Sequence, residues 1–243
     1  MPQNGSNATF VPAEGSILCE NCGYTLDGLP EGGNCPECGC PVAKSLEDGR
    51  GLPAWEDDSP GRPRLRFLAT TAAVIFGPAR FYRSLQTRRD NSTALMFAQG
   101  HWLISAVLLG LALSIHVKTM TGFGMHPLLL FVVSTVSIYL LVWGTTQVAA
   151  WLTAWEAAYR GYRLPKSVVL RGMYYHAAHY LPVSLVALAT IATYGILFAR
   201  NSTWAGSMAP RYVLLLCIEV LAGAGYLFMT YWAGMRGMMF ANR

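Results

Sequence analysis

The chemistry this sequence offers is concentrated in cysteines. Cys19-Glu-Asn-Cys22-Gly23 and Cys35-Pro-Glu-Cys38-Gly39 are two C-x-x-C-G elements separated by twelve residues. A C-x-x-C pair turns two thiolates toward one ion, and two such pairs supply the four sulfur ligands of a tetrahedral structural zinc. The glycine after each second cysteine permits a left-handed backbone and lets amides approach the sulfurs. The competing uses of four such thiols are a redox dithiol, which needs a βαβ setting absent here, and two disulfides. Cys40 is an alternative to Cys38 as the fourth ligand, although the repetition of the two knuckles favours Cys38. Cys217 lies in an apolar run and reads as a small core residue.

Three weaker constellations lie downstream. Glu219 stands in the last apolar run, where a carboxylate is costly and marks a cation or proton site unless it is simply hydrogen-bonded within the bundle. His176 and His179 share one helix face. They supply two ligands of a metal or lipid-headgroup site that would need a third group, such as Glu156. Otherwise they are interfacial histidines, as are His101 and His116. Gly144-Thr145-Thr146-Gln147 is a polar patch of the kind that glues membrane helices or lines a substrate path. There is no nucleophile–base pair, no phosphate loop and no paired catalytic carboxylates, so the expectation is a non-enzymatic protein.

The elements that must position these groups follow from composition. The 243 residues are 53% hydrophobic and 13% charged, against about 25% charged in soluble domains. Apolar runs of about 20 residues or more predict spanning helices near 97–117, 127–155, 179–199 and 212–234. The stretch 67–76 is too short to cross. Flanked by Arg62, Arg64 and Arg66 and by Arg80, Arg83, Arg88 and Arg89, it reads as an interfacial helix with its arginines at anionic lipid headgroups. Gly77-Pro78 breaks it and starts a second short basic helix. A short first crossing is the alternative, and would move the head to the other side. The expected fold is thus an all-α integral membrane helical bundle with a small N-terminal zinc ribbon. Its order is a disordered N-terminus (1–16), the ribbon (17–42), a flexible linker (43–64), basic interfacial helices (65–90) and the bundle (91–240).

Charge sets orientation and narrows the partners. Residues 1–60 carry ten of the thirteen acidic groups and a formal charge of −8, whereas residues 61–243 carry +13. A head at −8 disfavours nucleic acid, whose binding needs a basic stripe. With four spans, fifteen Lys and Arg fall on one side and only Lys118, Arg200 and Arg211 on the other. The positive-inside rule then puts both termini in the cytoplasm of a multi-pass cell-membrane protein. The first eighteen residues lack a basic n-region and a long apolar core, so no signal peptide is expected.

The string CENCGYTLDGLPEGGNCPECGCP, residues 19–41 and their neighbours, resembles the zinc ribbon that opens many bacterial membrane proteins. That resemblance implies zinc and attached membrane segments, with no activity. Residues 65–240 are similar in order to the Yip family of multi-spanning proteins. The likeness is carried by Gly77-Pro78 with Phe81 and Arg83, and by Tyr180-Leu181-Pro182. It implies a helical bundle in membrane organisation or trafficking, though four spans depart from the five usual there. The functional expectation is a ribbon that docks an unknown protein partner or the chain's own arginine collar. The alternative is a small transporter or channel using Glu219 and the polar patch.

Overall fold

The computed structural model describes residues 12, 16–46, 50–57, 62–87, 89–121, 124–197 and 202–242. Most of the N-terminal stretch read as disordered lies outside the described residues, as do Arg88 and Arg200. Every named element is a helix, and three isolated bridges are the extended pairings among the described residues.

Four helices are long and apolar enough to cross a membrane: Ser92–Thr121, Pro127–Tyr159, Lys166–Leu197 and Met208–Met238. The first two are α4 (Ser92–Thr121) and α5 (Pro127–Tyr159). The third is compound. It consists of α6 (Lys166–His176), a 3-10 turn at Ala177–His179, and α7 (Tyr180–Leu197). The last belongs to α8 (Ser202–Met238), which runs through Pro210. α4 is the centre of the bundle, packed on α5 and α7. The spans turn most of their Leu, Val and Phe outward, as Leu140, Leu141, Leu214, Val220 and Phe228 do. Such a surface is stable against lipid rather than water.

Two boundaries differ from the sequence expectation. The third membrane-length helix begins at Lys166, not near 179. Residues 171–179 are continuously buried, so the α6 end of this span is a core element enclosed on all sides. Pro182 therefore sits in mid-span. Lacking an N–H, it cannot bond the Ala178 carbonyl, and the chain tightens there into a 3-10 turn. The stretch ahead of the last expected span, which was to start near 212, is helical from Ser202.

Gly110 sets the distance between α4 and α5. A Cβ there would stand 2.3 Å from Thr135 Oγ1 and 2.9 Å from Thr135 N. Gly110→Ala must push the helices apart, with an expected cost of about 1–3 kcal/mol. The readout is the thermal midpoint in detergent, and an unchanged midpoint would refute this close crossing.

Ahead of the bundle, α1 (Ala43–Leu46), α2 (Pro63–Phe76) and α3 (Pro78–Ser84) are short. The 14 residues of α2 span about 21 Å, less than a hydrocarbon core of about 30 Å. Gly77 ends it by donating its N–H to Ala73 O, and Pro78 opens α3. The stretch expected to be a free tether is anchored where it is described. Trp55 donates its indole N–H to Thr93 O at 2.8 Å and its amide to Thr70 Oγ1 at 2.9 Å. Its ring meets Phe67 edge-on at 5.5 Å. An aromatic anchor of this size outweighs the local preference of a Pro- and Gly-rich segment for freedom.

Candidate metal centre and the seam beneath it

The ribbon is built twice from one plan. In the first knuckle Cys19 N donates to Tyr24 O, Gly23 N to Cys19 O and Leu26 N to Ile17 O. In the second, Cys35 N donates to Cys40 O, Gly39 N to Cys35 O and Val42 N to Gly33 O. Every donor and acceptor recurs sixteen positions later, and so do the bridges Leu18–Thr25 and Asn34–Pro41. Gly23 and Gly39 both have positive φ, +83° and +72°, a backbone that only glycine adopts without strain.

This repeat brings Cys19, Cys22, Cys35 and Cys38 together, with all four sulfurs within 4.8 Å of one another. Cys19 Sγ is 3.5 Å from Cys38 Sγ, and Cys22 Sγ is 3.6 Å from Cys35 Sγ. Cys40 is outside the set because its counterpart in the first knuckle is Tyr24. The pairs are free thiols, not disulfides. Four sulfurs at these separations suit a tetrahedral metal ion with sulfur ligands. The Asn21 side chain, with the Cys40 amide, lowers the Cys38 thiol to about 6. Desolvation raises Cys22 to about 12. A bound metal would displace the remaining protons.

The ribbon sits on the end of the bundle through hydrogen bonds to one amide side chain and two arginines. Leu18 N donates to Asn242 Oδ1 at 2.8 Å, and Asn242 Nδ2 donates to Leu18 O at 2.8 Å and Ser45 O at 3.1 Å. Arg163 donates to Ser16 O at 2.6 Å and to Asn242 Oδ1 at 3.2 Å. The approach is close: a Cβ on Gly23 would stand 2.4 Å from the Phe240 ring. Arg50 rivets the same seam, reaching Glu20 at 3.1 Å, Tyr82 O at 3.1 Å, Leu85 O at 3.2 Å and Gly237 O at 3.0 Å. Docking of the head on the collar Arg62–Arg89 was the electrostatic expectation. The described contacts of the ribbon run to the tail, to Arg163 and, through Arg50, to the carbonyls of Tyr82 and Leu85, rather than to the collar guanidiniums.

The collar arginines meet the linker. Arg66 bonds the Asp57 carbonyl, and Arg89 lies 4.0 Å from Glu56. Arg62, Arg64, Arg80 and Arg83 are exposed. Glu56 itself is buried, with Arg171 at 2.7 Å and Tyr175 hydrogen-bonded to its other oxygen. Arg171 also donates to Gln86 O at 2.6 Å and Asp90 O at 3.3 Å. Sequence reasoning missed this triad, since Arg171 entered it only as one of the fifteen Lys and Arg counted on one side of the membrane. Its signal was slight: an acidic run behind Trp55, and an Arg and a Tyr at helical spacing.

The membrane candidates separate. His176 and His179 are neighbours, with rings 5.1 Å apart. Each is bonded to α8, His176 Nε2 to Leu227 O at 3.1 Å and His179 Nδ1 to the Tyr226 hydroxyl at 2.7 Å. Glu156 does not join them; it pairs with Arg160 at 2.6 Å on an exposed face. His101 bonds Thr71 Oγ1 and Phe97 O, and His116 bonds the Tyr212 hydroxyl at 2.6 Å. Glu219 lies seven residues, about two turns, before Tyr226. It accepts from Thr190 of α7, and its Oε2 is buried without a partner among the described residues. Thr145 and Thr146 return their hydroxyls to Leu141 O and Val142 O of their own helix.

No family model matches the chain, and no curated protein or solved structure matches it either.

Proposed function

We propose that this is a non-enzymatic integral membrane protein whose zinc ribbon is a self-docking module, seated on the chain's own tail in the cytoplasm. The observation that carries this reading is Asn242. One side chain joins Leu18 and Ser45 by both amide groups, while its backbone N–H donates to Glu20 Oε1 at 3.3 Å. The fifteen-to-three charge split supports a cytoplasmic head, and four clustered thiols support zinc. The exposed arginines of α2 and α3 supply contacts to anionic headgroups. The rest of the ribbon surface, Tyr24 included, is open to a protein partner. The likeness to the Yip family supports a role in membrane organisation or trafficking.

Asn242→Ala removes several hydrogen bonds worth about 0.5–1.5 kcal/mol each. Amide exchange at residues 17–26 is expected to speed at least tenfold while exchange in the spans is unchanged. Chelating the metal should do the same in the wild type. Unaltered ribbon exchange in both cases would refute self-docking.

One observation favours a transporter or channel instead, namely the unpartnered buried oxygen of Glu219. On that reading Glu219→Gln abolishes pH- or ion-dependent flux in proteoliposomes, and equal flux would exclude it.

A further inference from the structure

α2 reverses the polarity expected of a helix in water. Its inward face carries Thr70 and Thr71, both buried, one bonded to the Trp55 amide and the other to His101. Its outward face is Leu65, Leu68, Ala69, Ala72, Ala73 and Phe76, all exposed and all apolar. Their spacing makes one continuous helical stripe. Phe76, at the tip before Gly77, is 87% exposed. No charged residue lies between Arg66 and Arg80. Water penalises such a stripe, whereas acyl chains accept it.

The packing partners of α2 and α3 fix their depth. A Cβ on Gly100 would stand 3.3 Å from the Phe67 ring, and Thr71 Oγ1 is 3.0 Å from His101 Nε2. His101 is nine residues into α4, about 14 Å along its axis. α4 has 30 residues and is about 45 Å long, against a hydrocarbon core of about 30 Å, so His101 stands below the interface. α2 also packs on the 3-10 turn Ala177–His179. That turn is bonded to Tyr226, twelve residues before the end of α8. α3 then returns. Phe81 meets Tyr175 edge-on at 5.2 Å, and Tyr82 packs on Gly234 and Gly237 near the α8 end. Beyond α3, Gln86 N donates to Gly51 O at 3.0 Å, beside the ribbon seam. The reversal at Gly77-Pro78 suits this depth. Gly77 donates to Ala73 O at 3.1 Å and accepts from Phe81 N at 2.9 Å, and Pro78 has no N–H to strand in lipid.

We propose that α2 and α3 form a re-entrant wedge in the leaflet on the ribbon's side, with Leu65, Leu68 and Phe76 against its acyl chains and the exposed Arg64, Arg80 and Arg83 at its headgroups. This rests on the membrane reading of the four spans, not on the docking of the ribbon. Among the described residues the opposite end of the bundle has no matching pair of short helices. Each helix is about 10–12 Å across, so the wedge widens the molecule in one leaflet alone. Such a shape favours a membrane that bulges toward the ribbon.

The test uses the full chain in vesicles of phosphatidylcholine and phosphatidylglycerol. Para-fluorophenylalanine replaces Phe76 in one sample and Phe228, on the outer face of α8, in another. Fluorine relaxation is read with a spin label on the lipid acyl chain and with a gadolinium chelate in the water. Both positions are expected to respond to the lipid label and to be untouched by the chelate. A response to the chelate at 76 alone would overturn the wedge. The same response at both positions would overturn the membrane reading and the wedge with it. For the shape, the fraction of chains with the ribbon outward is scored by access to an N-terminal tag. An excess of about twofold or more is expected in vesicles of about 50 nm, fading at about 400 nm. Leu65→Ser, Leu68→Ser and Phe76→Ser together should abolish it. Equal fractions at both sizes in the wild type, or an excess that survives the triple variant, would overturn the wedge as a source of shape.

Discussion

Replacing Cys19 with serine is expected to abolish metal binding at the four-thiol cluster, one zinc on the proposed reading, and to unfold residues 17–42. The magnitude follows from the size of the unit. Its own core is little more than Leu26, Val42 and the cysteines, far too small to fold alone. Structural zinc contributes about 10–16 kcal/mol of apparent binding energy to such units, and loss of one of four ligands forfeits most of it. Cys40→Ser is the control that the sixteen-residue repeat dictates. Cys40 occupies the place of Tyr24 and should keep the full equivalent of metal. The measurement is elemental analysis of purified protein beside amide exchange across 17–42. A full equivalent in Cys19→Ser, or a lost one in Cys40→Ser, would show that the ligand set is different.

The second large effect is at Arg171. Its guanidinium and the Glu56 carboxylate are almost wholly enclosed, 0% and 1% exposed. Neither charge is tolerable there alone. Arg171→Ala leaves buried Glu56 with only the half-exposed Arg89, 4.0 Å away, and also frees the carbonyls of Gln86 and Asp90. Breaking such a pair costs about 3–5 kcal/mol, seen as a large fall in the thermal midpoint. The double variant Glu56→Gln, Arg171→Met removes both charges and should recover a good part of the loss, because the desolvation penalty goes with them. A single variant within about 1 kcal/mol of wild type would mean that the pair is hydrated.

These two sites differ in how openly the sequence announces them. The metal set is local: four thiols and two glycines repeat within twenty-one residues, and a short backbone pattern converts that spacing directly into geometry. The four membrane-length helices were legible for a similar reason, since each contains a continuous apolar run. What escaped is nonlocal. Glu56 and Arg171 lie 115 positions apart, and either alone reads as a solvated surface charge. Their mutual neutralisation lets Arg171 enter the core with the buried run 171–179, so the start of the third span was hidden along with the pair. Trp55 is a similar case. Its neighbours Pro53, Asp57 and Asp58 suggest a free linker, and the pocket of Phe67 and Phe97 that holds it is assembled only by tertiary packing. The seam was misread on physical grounds as well. The −8 and +13 blocks suggested long-range attraction to the collar, whereas short, directional bonds of Asn242, Arg50 and Arg163 make the contact described.

The Asn242 clamp also has a meaning in time. It ties Leu18 to a residue 224 positions later, and synthesis delivers the chain from its N-terminus onward. All four thiols of the cluster lie within residues 19–38, so the two knuckles can close while the spans are still being made. Its seat does not exist until the fourth span is in place. The first module to fold is thus among the last to be parked, and throughout membrane insertion its inner face stays open to whatever else is nearby.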